Sequence, residues 1–129
     1  MTRRVIQPGA LKDPRPRYSQ GVLTEGGRLL FIAGQTAADR DGNVIGKDDP
    51  EQQAERVFEN LRAVLEAAGG TFDNLVMTTT YLTDIKYRAA YDTVRRKYYP
   101  NTQPTSTLVV VKALGGADFL IEIDGVAVI

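Results

Sequence analysis

Between Pro50 and the glycine pair Gly69-Gly70, the residues Ala54, Val57, Phe58, Leu61, Val64, Leu65 and Ala68 recur at steps of three and four. That spacing gathers them on one stripe of an α-helix, and a helix with a single apolar stripe needs an apolar surface to lie on. Both ends are marked in the sequence. Asp49 suits the N-cap, Pro50 the first turn, Gln52 the reciprocal capping position, and Gly69-Gly70 a left-handed stop that a side chain would penalise.

The surface must come from strands. Leu29-Leu30-Phe31-Ile32-Ala33 follows Gly26-Gly27, which reads as a hairpin turn after a first strand over about residues 18–24. Asp41-Gly42 marks another turn. Residues 75–82 are rich in threonine, β-branched and aromatic side chains, and they lead through Asp84 into a second helix over about residues 87–99 that Pro100 closes. Its apolar side is Tyr87, Ala90, Tyr91, Val94 and Tyr98, while Arg88, Arg95, Arg96 and Lys97 read as a solvated face. Residues 105–114 and 119–129 are two further strand candidates, separated by Gly115-Gly116, a pair able to take the positive φ of a tight hairpin. Pro8, Pro14 and Pro16 keep residues 1–16 out of regular helix, so this stretch is expected to be an extended leading segment and the fold to begin near Tyr18.

The expected class is therefore α+β: strand pair, helix, strand, helix, strand pair, in one domain spanning residues 1–129. Two cores would each be starved of apolar surface at this length. Two helices cover only one face of a mixed sheet. The other face, carrying Leu108-Val109-Val110-Val111 and Val126-Ala127-Val128, calls for a partner subunit.

The chain has no cysteine and no histidine. That removes disulfides, thiolate nucleophiles, Cys/His zinc sites, imidazole bases and the ordinary catalytic triad. Chemistry must come from carboxylates, hydroxyls, arginine, lysine or the backbone, and no metal or cofactor is expected. Lysine plus arginine equals aspartate plus glutamate at 16 each, so no overall basic field draws the protein onto nucleic acid; the basic excess of the leading segment reads as a solvated arm. No stretch has the length and apolarity of a membrane span and the N-terminus lacks a signal-peptide core, so no membrane partner and a cytoplasmic location are expected.

One carboxylate interrupts an apolar pattern. Leu120, Glu122, Asp124, Val126 and Val128 share a strand face, where Glu122 is either exposed near a strand end, paired with a cation, or held desolvated for acid–base work. Asp124 is compatible with solvent or a threonine partner and carries little weight as a catalyst.

Several segments in order resemble the Rid/YjgF family of imine and enamine deaminases, also known as endoribonuclease L-PSP. They are Tyr18-Ser19-Gln20-Gly21-Val22, Phe31-Ile32-Ala33-Gly34-Gln35, the residue 53–69 helix with Asn60-Leu61, Thr79-Thr80-Tyr81-Leu82, residues 104–111, and Ile121-Glu122-Ile123. The resemblance implies a chorismate-mutase-like subunit, a homotrimer, and small-molecule pockets between neighbouring subunits. It implies Glu122 as the group that positions or activates water. It also implies a carboxylate-gripping arginine where this chain has Ser106, within Pro104-Thr105-Ser106-Thr107, and a hydroxyl cannot replace a bidentate cationic fork. Asp92 stands where many relatives carry asparagine, and Leu108 where a cysteine often follows.

The candidate constellation is Glu122 as base, Tyr18 as hydroxyl donor or stacking wall, and Ser106 or Thr107 as hydrogen-bonding groups. Water addition to a C=N carbon needs little more. Arg17 or Arg95 is a possible replacement anion anchor, although each reads first as a surface charge. A Rid-like hydrolase of a small imine, enamine or related C=N compound leads. A non-catalytic trimeric metabolite-binding or protein-interaction module is the alternative, favoured by the lost arginine. Neutral charge and the lack of histidine weigh against an endoribonuclease.

Overall fold

The structure, a computed structural model, describes residues 2–99 and 101–129. Its elements run β1 (Thr2–Ile6), β2 (Gly21–Glu25), β3 (Leu29–Gln35), α1 (Pro50–Ala67), β4 (Leu75–Leu82), α2 (Arg88–Tyr98), β5 (Thr105–Val110) and β6 (Ile121–Val128), with single 3-10 turns at Phe72–Asn74 and Ile85–Tyr87. The six strands divide into an antiparallel ribbon, β1-β2, and a mixed sheet in the order β3-β6-β4-β5.

α1 forms as its pattern demands. The Asp49 carboxylate accepts from the Gln52 amide at 3.1 Å, and Pro50 fills the first turn where no amide is needed. At the far end Gly69 sits at φ +84°, its amide bonded to the Glu66 carbonyl and that of Gly70 to Leu65, a Schellman closure. The buried side of the helix is Gln53, Ala54, Val57, Phe58, Leu61 and Leu65. Phe58, wholly buried, stacks on Tyr98 at 4.9 Å between ring centroids and meets Tyr91, Tyr99 and Phe72 around it. Truncating a ring so placed costs about 3–5 kcal/mol. α2 ends at Tyr98; the expected stop at Pro100 lies outside the described residues.

Three expectations about pairing are corrected. Regular structure starts at Thr2, ahead of Tyr18, because β1 pairs with β2 and the Arg3 guanidinium donates to the carbonyls of Asp73, Leu75 and Gln103 at 2.7–2.9 Å. Gly26 and Gly27 make a positive-φ turn, yet β2 is not laddered to β3. The approach to β2 is held elsewhere, by Ser19 donating through its amide and hydroxyl to Pro104 and Gln103 carbonyls. Gly115 and Gly116 make no hairpin and neither has positive φ, since β5 and β6 are separated by β4. β5 runs parallel to β4 after the α2 crossover, and β6 inserts antiparallel between β3 and β4. Gly125 permits the insertion: a Cβ there would stand 2.9 Å from Leu75 Cδ1 and 3.0 Å from the Met77 carbonyl oxygen.

Strand alternation sorts the sheet into two faces. Thr78, Thr80, Leu82, Ile121, Ile123 and Ala127 are buried under the helices. On the other face Leu29, Phe31, Met77 and Val109 are exposed in the single chain, Phe31 by 73%. An apolar bare face is present as expected, but its composition is corrected: Leu108 and Ala127 lie on the helix side, because alternation along β5 and β6 sends every second residue there.

Candidate functional site

α2 presents Arg88, Tyr91, Asp92 and Arg95 at spacings of three, four and seven, so all four lie on one helix side. That side closes a cleft of about 230 Å³ whose other walls are Arg17 and Tyr18 from the segment before β2 and Ser106 and Leu108 from β5. Ser106 pairs with buried Thr78 in the β4-β5 ladder, which turns its hydroxyl to the helix side.

Arg95 is the keystone of this cleft. It is only 3% exposed, and its Nη1 donates to the carbonyls of Pro16 at 3.2 Å and Arg17 at 2.8 Å. The surface-charge reading of Arg95 is thus corrected: the guanidinium clamps the Arg17-Tyr18 segment onto α2. Its Nε lies 3.4 Å from Asp92 Oδ1, while Arg88 Nε approaches the other carboxylate oxygen at 3.8 Å. Tyr91 forms the cleft's floor. Burial pushes its phenol up, partly offset by the nearby hydroxyls of Thr80 and Ser106. Three guanidiniums against one carboxylate leave the cleft with a positive field.

Glu122 and Thr107 stand on the opposite face of the sheet. Glu122 pairs in register with Tyr81 between buried Ile121 and Ile123, and Thr107 is exposed beside Thr79. The Glu122 carboxyl lies over the backbone of Gly34, at an irregularity in the β3-β6 ladder between Ile32 and Gln35. Its neighbour Asp124 accepts from the Tyr81 hydroxyl at 2.9 Å, which pushes the Tyr81 phenol up.

Of the residues singled out from sequence, Arg17, Tyr18, Asp92, Arg95 and Ser106 therefore meet in one cleft of one chain, and Glu122 and Thr107 do not join them there. Arg88, Tyr91 and Gly34 were not foreseen. The spacing of Arg88, Asp92 and Arg95 was the available signal for the first. No group of three or more acidic side chains that could hold a metal ion occurs among the described residues.

A family profile described as Endoribonuclease L-PSP matches residues 10–129. A RutC family protein of Saccharolobus solfataricus is 42% identical over 118 residues, covering 90% of this chain and 91% of its own. Among solved structures, YyfB of Yersinia pestis, a Rid family protein of unknown function, superposes with a TM-score of 0.92 at 33% identity over 100% of both chains. RidA of the Antarctic bacterium Psychrobacter sp. PAMC 21119 gives 0.74 at 29% identity, covering 98% of this chain and 99% of its own.

Proposed function

The chain belongs to the Rid/YjgF family, and from that premise we propose that it is a hydrolase deaminating a small imine or enamine, with pockets completed between the subunits of a homotrimer. The observation that carries this reading is the state of Glu122: a part-buried carboxylate on a bare apolar sheet face that makes no ion pair among the described residues. A carboxylate neutralised by a cation is a poor base, and this one is not so neutralised.

The two halves of the chemistry lie on opposite faces of one sheet. A neighbouring subunit that covered the bare face would bring its own β5-edge cleft toward Glu122. Glu122 then orients a water molecule and takes its proton as the oxygen adds to the C=N carbon. The Tyr18 and Ser106 hydroxyls hydrogen-bond the carbinolamine. Glu122 returns that proton to nitrogen, then takes the carbinolamine hydroxyl proton and passes it to the same nitrogen, so that the C–N bond breaks as the C=O bond forms and ammonia leaves with a carbonyl product. An enamine enters the same sequence after protonation at carbon. Carboxylate, hydroxyls and guanidinium suffice for these steps, which suits a chain with no histidine or cysteine.

The test is ammonia release from a panel of imines generated in situ from amino acids by an amino acid oxidase. Wild type should accelerate release from at least one, and Glu122→Gln should lose about 10²–10⁴-fold. A Glu122→Gln protein as fast as wild type sinks the mechanism. The receptor reading draws support from the uncharged Ser106, and it predicts binding without any ammonia release.

A further inference from the structure

We infer that the cleft recognises an imine bearing two carboxylates, gripped by Arg17 and Arg88 in place of the single arginine whose position Ser106 fills. The inference rests on the hydrolytic reading above for the imine, but its charge selection rests on the cleft alone. Arg95 is largely committed to the fold: two bonds from Nη1 hold the Pro16 and Arg17 carbonyls, and its Nε faces Asp92 at 3.4 Å. Asp92 in turn is committed chiefly to Arg95, since its distance to Arg88 is the longer 3.8 Å. These two neutralise each other. What remains is the Arg17 guanidinium, which pairs with no carboxylate among the described residues, and the Arg88 guanidinium, held only by that long contact.

Two unspent cations come from two different elements, the segment before β2 and the first turn of α2, so they suit two separate anionic groups better than one. The size of the cleft agrees. In the single chain the cleft offers about 230 Å³, room for a short-chain diacid. The remaining lining supplies hydroxyls from Tyr18 and Ser106 and an apolar wall from Leu108, which fits a short carbon chain between its two charged ends. Moving the cation off β5 onto α2 and the preceding segment thus widens the charge demand from one carboxylate to two.

Binding of stable oxo-acid probes to the intact protein tests this without turnover, by calorimetry at low ionic strength. 2-Oxoglutarate should bind at least tenfold more tightly than pyruvate. Arg17→Gln and Arg88→Gln, both exposed positions that leave the Arg95 clamp in place, should each weaken 2-oxoglutarate by roughly tenfold to a hundredfold and pyruvate by much less. Equal affinity for the two oxo acids overturns the inference, as does unchanged 2-oxoglutarate binding in both variants, or inorganic phosphate binding more tightly than either acid. Ammonia release from monocarboxylate imines with no diacid preference would remove this inference and leave the hydrolase standing. Diacid selectivity without ammonia release from any imine would do the reverse.

Discussion

The Glu122 carboxyl stands so close over Gly34 that a Cβ at position 34 would lie 2.8 Å from its carboxyl carbon. The crowding there comes from a side chain of the neighbouring strand and not from the backbone, since Gly34 is not among the residues with positive φ. Gly34→Ala should push the carboxylate aside, and because that group ends a flexible side chain the fold should lose less than about 1 kcal/mol. On any imine the wild type hydrolyses, the rate should drop about a hundredfold through displacement of the base. An unaltered rate with an unaltered melting temperature would separate Glu122 from the chemistry.

Phe31 is 73% exposed on the bare sheet face, so the isolated chain gains little from it. In the proposed trimer it is covered. Wild type should scatter light with three times the mass of one chain, and Phe31→Glu should shift that mass downward by placing a charge in the interface. A wild-type monomer at micromolar concentration would remove the trimer, and with it the shared pocket.

Gln53 links three segments from a fully buried position. Its Nε2 donates to the carbonyls of Gly46 at 3.2 Å and Asp118 at 2.7 Å, and its Oε1 accepts from the Leu120 amide at 2.9 Å. Gln53→Leu keeps the volume and strands these backbone groups. Urea denaturation should show a loss of about 2–4 kcal/mol. A neutral substitution would mean that water replaces the amide.

Glu55 is held below the ordinary glutamate value of 4.5 by Lys97, assisted by the Tyr98 hydroxyl at 2.9 Å. A carboxylate depressed in the folded state stabilises above its unfolded pKa, and that contribution fades as pH falls through the folded value. Stability should therefore decline below pH 4.5 in part through Glu55. Lys97→Met should be less stable at pH 7 and converge on wild type in acid; parallel curves down to pH 3 would rule the pair out as a contributor.

The helices were legible because their information is local. Asp49, Pro50, the apolar stripe and Gly69 lie within one segment and act within it. Strand partners are chosen at long range, and there the sequence misled: Gly115-Gly116 looks like a hairpin, while Gly125, which seats β6 against Leu75 and Met77, looks like a defect. The candidate site divides in the same way. Tyr18 and Ser106 were visible through resemblance. Arg88 was hidden, and Arg95, named as a candidate anchor, was read first as a surface charge, because a basic helix face reads as solvated until the Pro16 and Arg17 carbonyls are found against it.

The place of β6 also orders events in time. Val126 to Ile121 lie between β3 and β4, and Arg28 exchanges 2.8 Å hydrogen bonds with Ile129 at the end of that ladder. Before residues 121–129 have emerged from the ribosome, β3 and β4 have no common neighbour, and the α1 stripe has only half a floor. Assembly of the sheet therefore waits on β6, and until it pairs, the β3 and β4 edges it will occupy stay open to other chains.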